Sequence, residues 1–386
     1  MAIAPEIQSL ADDMRTWRQQ IHSQPEIAFN EHQTAHFVAS LLRSWGIETH
    51  TGIGQTGVVG VIQGALGPGP SIAFRADMDA LPIVEEGQPA YRSQHPGVFH
   101  GCGHDGHTSI LLGTACLLAR QRQFRGRVVL IFQPAEEIIQ GSLAMLEDGL
   151  LQRFPFDEVY SLHNHPTLAA GTIGVRVGAQ LASVDFFSIR ITGVGSHGGM
   201  PHLSIDPIVI GASLVGALQG IISRTIDPLE NAVISVCRFQ AGETNNVIPE
   251  FAMLDGTIRT LSTAVRQQVV ERMEQVCQGL ALAHGCQIDM SLANSTPPVV
   301  NSPQPTAQVR EAARQVVGQG RLVEDVAPIM AGDDVAVFLQ ERPGCHFLLG
   351  QDGPMCHHPQ YDFNDQVAPI GVAMFEQLVR QRLGNG

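Results

Sequence analysis

Short apolar runs and helical periodicities alternate along the first part of the chain. The runs are rich in β-branched and aromatic residues, which is typical of buried strands. They cover residues 58–62, 71–75, 127–132 and 158–162. Apolar residues three and four positions apart predict helices over 5–46 and 108–120. Strands that alternate with helices indicate an α/β fold whose sheet is mostly parallel.

A different order of elements begins near residue 183. Polar and apolar residues alternate from 183 to 192, as in a strand with one exposed face. The elements that follow are a helix, two strands, a helix and a strand, predicted at 206–225, 232–240, 251–260, 263–284 and 286–293. This β-α-β-β-α-β order is typical of a ferredoxin-like α+β unit. We therefore predict one domain formed by residues 1–182 and 294–386, with a second domain inserted at 183–293.

The charge of the chain narrows the range of partners. It has 37 acidic residues against 23 basic ones, a formal net charge of −14 over 386 residues. Phosphate-rich surfaces repel such a chain, so neither nucleic acid nor an anionic membrane is expected as a partner.

The longest apolar stretch, 208–222, is too short to span a bilayer and predicts a buried helix. Seven cysteines without a CxxC pair, and an acidic N-terminal segment unlike a signal peptide, indicate a reduced, cytoplasmic protein.

Every basic residue is an arginine, and the absence of lysine excludes several mechanisms. A lysine Schiff base, a P-loop lysine and a carbamylated-lysine metal bridge cannot form. Histidine, by contrast, occurs 16 times, and several histidines stand in clusters. Chemistry in this chain must therefore depend on histidine, cysteine, carboxylates and arginine, with or without a bound metal.

Cys102 and His104 stand in a glycine-flanked segment before a predicted helix. The glycines let the backbone turn tightly, so that a thiolate and an imidazole can converge on one ion. An isolated Cys-x-His pair is more often a buried cysteine beside a surface histidine. Further clusters make a metal site the better interpretation here, because His163 follows a predicted strand and either His357 or His358 is a candidate ligand.

Glu136 and Glu137 follow the apolar strand 127–132 and a proline. Adjacent side chains point in different directions, so one carboxylate can bind metal while the other faces the substrate. Metal-assisted hydrolysis needs this division, since an ion acidifies water and a free carboxylate takes the proton. The alternative is a solvated acidic pair, which the apolar strand before it disfavours.

Three polar positions stand out in the inserted domain. His197 lies among glycines in the segment 195–202, where a side chain packs poorly but can reach a ligand. Asn246 and Arg259 interrupt otherwise apolar segments. Because the chain has no lysine, Arg259 is the natural partner for a substrate carboxylate. An exposed loop histidine and a surface ion pair are the ordinary alternatives for His197 and Arg259.

Taken in order, the motifs resemble those of the zinc-dependent aminoacylase/carboxypeptidase superfamily. The matching segments are FRADMDALPI (74–83), HGCGHDGHT (100–108), QPAEE (133–137), LHNHP (162–166), GSHGGMPH (195–202), NVIP (246–249), GTIR (256–259) and HHPQYDFND (357–365). The similarity is to the branch that contains hippurate hydrolase, N-acyl-amino-acid amidohydrolases, N-acetyldiaminopimelate deacetylase and the auxin-conjugate hydrolases. One segment departs from the family pattern, because Asp333-Asp334-Val335 stands where Glu-Asp-Phe is usual. This segment lies near the substrate in the family, so the acyl preference stays open.

The resemblance implies a two-metal amidohydrolase that cleaves N-acyl amino acids, N-acetyl or N-benzoyl for example, to an amino acid and a carboxylate. Cys102 would bridge two divalent ions. The remaining ligands would be His104, Glu137, His163 and His357. Zinc suits a set of cysteine, histidine and carboxylate ligands best, and manganese, cobalt or nickel could also serve.

The resemblance also assigns roles outside the ligand set. Glu136 would be the general base, and Asp79 would orient a ligand without binding metal. His197 would stabilise the oxyanion in the active site of a dimer partner, with the inserted domain acting as lid and dimerisation domain. Asn246 and Arg259 would hold the substrate. Two alternatives remain: a dipeptidase or carboxypeptidase with the same site, and a non-catalytic metal-binding module.

Overall fold

The computed structural model describes residues 3–384, which divide into two compact units. The first unit runs to Gln180 and resumes at Val300–Ala327 and from Asp333 onward, and the second comprises Leu181–Val299 and Pro328–Gly332. The second unit is therefore longer than the predicted insertion, 183–293. Its short extra segment is attached through the backbone, because the amide of Ala182 donates to the carbonyl of Ala331 at 2.8 Å.

Helices and strands alternate in the first unit, as the sequence predicts. Across both units the described residues form 16 strands and 11 α-helices. The strands are β1 Glu48–Ile53, β2 Gly57–Gln63, β3 Ser71–Asp77, β4 Arg127–Gln133, β5 Glu158–His165, β6 Ile173–Val175, β7 Gly178–Leu181, β8 Val184–Thr192, β9 Ser196–His197, β10 Ala232–Ala241, β11 Val247–Ile248, β12 Phe251–Thr260, β13 Gln287–Thr296, β14 Val299–Asn301, β15 Leu322–Glu324 and β16 Gly344–Gly350. The helices are α1 Pro5–Gln8, α2 Ala11–Ser23, α3 His32–Ser44, α4 His104–Arg120, α5 Gly141–Glu147, α6 Leu150–Arg153, α7 Pro207–Arg224, α8 Thr263–His284, α9 Pro303–Val316, α10 Val335–Glu341 and α11 Ala368–Leu383.

The first unit is built on a sheet in the order β1-β2-β4-β3-β5-β16-β6-β15. Its centre, from β4 to β16, is parallel, whereas β1 and β2 add an antiparallel edge. The central strands β3 and β16 are buried along their whole length, as expected for a parallel sheet covered on both faces. This confirms the predicted α/β class with a mostly parallel sheet.

The helices of the first unit differ from the sequence prediction at one place. The predicted helix over 5–46 is three helices. Pro25 explains the end of α2, because a proline disfavours helical backbone at the residue before it. Helix α4 is buried over most of its length and packs against α2 and α11. Its N-terminus is thereby fixed at the edge of the sheet where the polar clusters lie.

The second unit has a four-stranded antiparallel sheet in the order β10-β12-β8-β13, with α7 and α8 packed against it. This order confirms the ferredoxin-like unit. Ser262 accepts the amide of Val265 at the start of α8, and Gly285 ends the helix at a positive φ of 65°. These local signals explain why the predicted bounds of α8 agree with the structure.

Helix α7 differs from the buried helix that its sequence predicts. Ile210, Leu214 and Leu218 are buried, but Ile208 and Val209 are exposed by 41% and 58%. By length and composition alone, α7 could cross a membrane, and one third of it is buried. One apolar face of α7 therefore lies on the sheet, while another is left open within the second unit.

Candidate metal centre

The polar clusters of the first unit follow the carboxyl ends of neighbouring parallel strands. Asp77 ends β3, the two glutamates come shortly after β4, and His163 lies near the end of β5. The strand β5 is longer than predicted, so His163 belongs to the strand itself and the strand backbone fixes its position. Ligand sites of open α/β sheets form at this edge.

The turn before α4 requires a glycine at position 103. Gly103 has a φ of 93°, and a Cβ atom there would lie 2.4 Å from both the Asn164 Oδ1 and the Tyr361 hydroxyl. Only glycine fits such a conformation and such a close approach. Cys102 and His104 flank this glycine, and the turn brings their ligand atoms within 4.8 Å of each other.

Two groups of candidate ligands share Cys102. One group is Cys102, His104 and His163, and the other is Cys102, Glu137 and His357. Within each group the ligand atoms lie within 4.8 Å of one another. The Cys102 sulfur is 3.5 Å from the Nε2 atom of His163. The structure therefore brings together all five residues predicted as ligands, with the thiol at the junction of the two groups.

The donor atoms in this centre fit a divalent ion. The Nδ1 atom of His104 lies 2.9 Å from the carbonyl of Asp79, and the Nε2 atom is buried without a hydrogen-bond partner among the described residues. The Oε1 atom of Glu137 is buried and unpartnered in the same way. Buried polar atoms without partners are costly, and histidine ligands usually donate their other ring nitrogen to an oxygen.

His357, rather than His358, faces the candidate ligands. The Nε2 atom of His357 lies 3.4 Å from the Oε2 atom of Glu137. Burial is the largest effect on the pKa of Glu137 and acts to raise it, but the hydrogen bond with His357 and the charges of His104 and His357 together lower the pKa. His358 instead accepts the backbone amide of Gln360 at 3.1 Å and is exposed.

The carboxylate of Asp79 fixes the backbone of the two glutamates. Its Oδ1 atom accepts the amide of Glu136 at 3.1 Å, and its Oδ2 atom accepts the amide of Glu137 at 3.0 Å. Glu136 is only 6% exposed. Burial and the charges of Asp333 and Glu137 raise its pKa well above the usual range, which suits a carboxylate that accepts a proton.

A comparison with known families places the chain. The sequence pattern of the peptidase family M20/M25/M40 matches residues 73–381. The chain belongs to this family. The N-acetyl-L-cysteine deacetylase of Bacillus subtilis is 39% identical over 368 residues, which cover 95% of this chain and 87% of the relative. The hippurate hydrolase of Campylobacter jejuni is 36% identical over 384 residues, or 99% of this chain and 100% of the relative.

A solved structure gives the same result for the fold. The YXEP protein of Bacillus subtilis, described as a dinuclear metal-binding peptidase of the M20 family, superposes with a TM-score of 0.84. It is 34% identical, and the match covers 96% of this chain and 98% of that protein. These similarities confirm the predicted branch and the prediction that this M20 chain is a hydrolase of amide bonds.

Arg75 is a buried residue for which the sequence analysis predicted no role. Arg75 lies 2.8 Å from Asp77 and 3.1 Å from both Asp333 and Asp334. These carboxylates raise the pKa of Arg75 against the opposing effect of burial. Asp333 and Asp334 are only 1% and 0% exposed, so the unusual Asp-Asp pair is bound to Arg75 inside the unit. A charged residue directly after the apolar run Ile72–Phe74 of β3 is the signal that could have revealed it.

His107 is a second functional candidate that the sequence analysis missed. Its two ring nitrogens each lie 2.6 Å from an oxygen, one on Asp77 and one on Asn164. It stands three residues after His104 on the same face of α4. The spacing of the two histidines in the motif HDGH could have indicated this position.

The other predicted site residues belong to the second unit. His197 in β9 pairs with Val247 in β11, and its Nδ1 atom accepts the amide of Gly199 at 3.0 Å. The Nε2 atom therefore carries the proton in the neutral ring and is an available donor. The carbonyl of Asn246 accepts the amide of Gly198 at 2.8 Å, which places Asn246 beside the histidine.

Arg259 lies on a different strand of the second unit, β12. Its guanidinium is 5.8 Å from the centre of the Phe186 ring, and burial lowers its pKa. The guanidinium makes no hydrogen bond or ion pair with any residue between 3 and 384. The roles of His197, Asn246 and Arg259 remain predictions.

Proposed function

We propose that this chain is a two-metal amidohydrolase that cleaves the amide bond of N-acyl amino acids. The observation that carries the proposal is the pair of ligand groups that share Cys102 and leave Glu136 out of both. A non-catalytic metal-binding module would not need such a buried carboxylate beside its ligands. The names of the relatives, a deacetylase of N-acetyl-L-cysteine and a hippurate hydrolase, support the substrate class.

In this proposal the residues that would hold the two ions are Cys102, which belongs to both ligand groups, with His104 and His163 from one group and Glu137 and His357 from the other. The bound ions would polarise the substrate carbonyl and lower the pKa of a water molecule. Thiolate and imidazole ligands favour zinc, although manganese, cobalt and nickel bind similar mixed sets.

The chain's own groups then move the proton and hold the substrate. Glu136 takes the proton from the attacking water and delivers it to the nitrogen of the leaving amine. Asp79 fixes the peptide that carries Glu136, so the base needs no reorganisation. Asn246 and Arg259 hold the substrate, with the guanidinium on its carboxylate. The oxyanion accepts the Nε2–H group of His197 of the partner subunit.

We also propose a homodimer formed through the inserted domain, in which the oxyanion donor is His197 of the partner subunit. Strand β10 is an edge of its sheet, and the exposed Ile208 and Val209 leave an apolar face on α7. Mixed dimers of His197→Ala and Glu136→Ala chains should then recover part of the activity that each variant lacks. No recovery after proven subunit exchange would exclude the shared site.

A cytoplasmic location fits the seven cysteines, all of which are free in the described residues. The net charge of −14 supports a small-molecule substrate and disfavours nucleic acid or membrane as a partner. The buried face of α7 packs on the sheet of the second unit, which favours a helix of a globular domain over a membrane span.

A substrate panel tests the proposed activity. Metal-free protein, reloaded with zinc, manganese, cobalt or nickel, is assayed on N-acetyl and N-benzoyl amino acids and on dipeptides. A higher kcat/KM on the acyl amino acids supports the proposal. A preference for dipeptides would identify a dipeptidase instead, and stoichiometric metal binding without hydrolysis of either class would leave a metal-binding module.

A further inference from the structure

A second cysteine lies against Cys102 and belongs to neither ligand group. The amide of His357 donates to the carbonyl of Gly101 at 2.7 Å, which holds the two chain segments together. Cys102 directly follows Gly101, and Cys356 directly precedes His357. The Cys356 sulfur is 3.7 Å from the carbonyl oxygen of Cys102, and the two thiols hydrogen bond to each other.

The surroundings of the two sulfurs favour reaction between them. The Nδ2 group of Asn164 donates to the Cys356 sulfur at 3.5 Å, and the Cys102 sulfur faces the Nε2 atom of His163 at the same distance. The Asn164 amide thus holds the Cys356 sulfur in place, and the Nε2 atom of His163 can accept from the Cys102 thiol, because its Nδ1–H group donates to the carbonyl of Asn164 at 2.7 Å. Cys356 is partly exposed, whereas Cys102 is only 7% exposed, so an oxidant meets Cys356 first.

We propose that Cys102 and Cys356 form a reversible disulfide when the protein meets a peroxide. The Cys356 thiolate attacks hydrogen peroxide, which gives a sulfenic acid and releases hydroxide. The Cys102 thiolate then attacks the sulfenic sulfur, forms the S–S bond and displaces a second hydroxide. In total, two thiols and one hydrogen peroxide give one disulfide and two waters, and a dithiol reductant reverses the reaction.

The consequence for the enzyme rests on the proposed function, in which Cys102 is shared by both ions. The cross-link takes the thiolate away from both ligand groups at once, so oxidation stops hydrolysis. It also protects Cys102 from sulfinic acid, because a disulfide is reducible and a sulfinic acid is not. Cys356 would thus make the loss of a metal-site thiol reversible.

The test follows the covalent bond itself. Purified metal-loaded protein is treated with hydrogen peroxide, denatured, alkylated and digested without reduction, and the peptides are identified by mass spectrometry. We expect one cross-linked pair that joins the peptides of Cys102 and Cys356, and a loss of two of the seven free thiols. Cys356→Ser should lack the pair, while Cys237→Ser, which removes an exposed cysteine of the second unit, should retain it.

Metal release and reversibility separate this inference from the proposed function. In the wild type, peroxide should release metal, measured with a chromogenic chelator, and dithiothreitol should restore both metal binding and activity. In Cys356→Ser the activity lost to peroxide should not return on reduction. If Cys102 and Cys356 remain alkylatable while the activity falls, the inference is wrong and the proposed function stands. If the disulfide forms without release of metal, the inference stands and the metal role of Cys102 is wrong.

Discussion

The carboxylate of Asp79 accepts the backbone amide of Glu136 at 3.1 Å, and its second oxygen accepts the next amide at 3.0 Å. One buried side chain therefore sets the direction of both glutamates. An asparagine there would turn an NH2 group towards one of these N–H groups. For Asp79→Asn we expect metal affinity or kcat to fall roughly 10–100-fold, as for other groups behind metal ligands.

The measurement is metal titration of the Asp79→Asn protein together with steady-state kinetics. The matched control is Asp157→Asn, because Asp157 also accepts a backbone amide. That amide belongs to Ser71, the first residue of β3, and the distance is 2.8 Å. Unchanged metal affinity and kcat in Asp79→Asn would show that the glutamates do not depend on this carboxylate.

The two adjacent glutamates should respond differently to the same substitution. Glu136 lies outside the groups that share Cys102, whereas Glu137 is a member of one. Glu136→Gln should retain metal and lose roughly 10²–10⁴-fold in kcat, the usual contribution of a general base. Glu137→Gln should lose bound metal. Elemental analysis and kinetics on both variants check this, and loss of metal in Glu136→Gln alone would mean that the two roles are exchanged.

The two histidines near the C-terminus form a natural pair of variants. The ring of His357 lies 3.4 Å from Glu137, while the ring of His358 hydrogen bonds only to the backbone amide of Gln360 among the described residues. His357→Ala should lower the metal content by up to one ion per chain and reduce kcat, because it removes one of three donors in its group. His358→Ala should change neither. Equal metal content in the two variants would remove His357 from the ligand set.

Local signals explain which parts of the fold and site could be predicted. Helix α8 has both of its caps in the sequence, at Ser262 and Gly285, and its predicted bounds agree with the structure. Cys102 and His104 could be found because they stand in a glycine turn, and Glu137 because it follows an apolar strand, whereas the choice of His357 over His358 depended on the family resemblance. The partners of Arg75 could not, since Asp333 is 258 positions away and no local pattern records such a pairing. The end of β5 was missed because its polar residues resemble a loop.

Arg75 forms ion pairs with three buried carboxylates, and its removal should destabilise the first unit. For Arg75→Met we expect the free energy of unfolding to fall by about 3–5 kcal/mol, because buried charges lose their partner. Urea denaturation measures this change. The control is Arg15→Met, whose ion pair with Asp12 is exposed and should contribute at most about 1 kcal/mol. A similar, small effect in both variants would show that the buried carboxylates are neutral without Arg75.

A buried histidine should make the stability depend on pH. His22 lies between Asp105, 2.8 Å from its Nδ1 atom, and Glu85, 3.2 Å from its Nε2 atom. Burial opposes protonation, but the hydrogen bonds to both carboxylates outweigh it and raise the pKa of His22 from 6.5 to about 9. The folded state therefore binds this proton more tightly than the unfolded chain does. The resulting stabilisation is complete below pH 6.5 and is lost as the pH rises through about 9.

The variant His22→Gln isolates this contribution. A shift of this size corresponds to at most about 3 kcal/mol, so wild type and variant should differ most in urea denaturation near pH 6 and much less near pH 10. His50→Gln, which changes an exposed histidine beside Glu48, should show no such trend because its ion pair is open to solvent. A difference between wild type and His22→Gln that stays constant with pH would mean that His22 contributes through packing, because a charged ring between two carboxylates must lose its advantage when it is deprotonated.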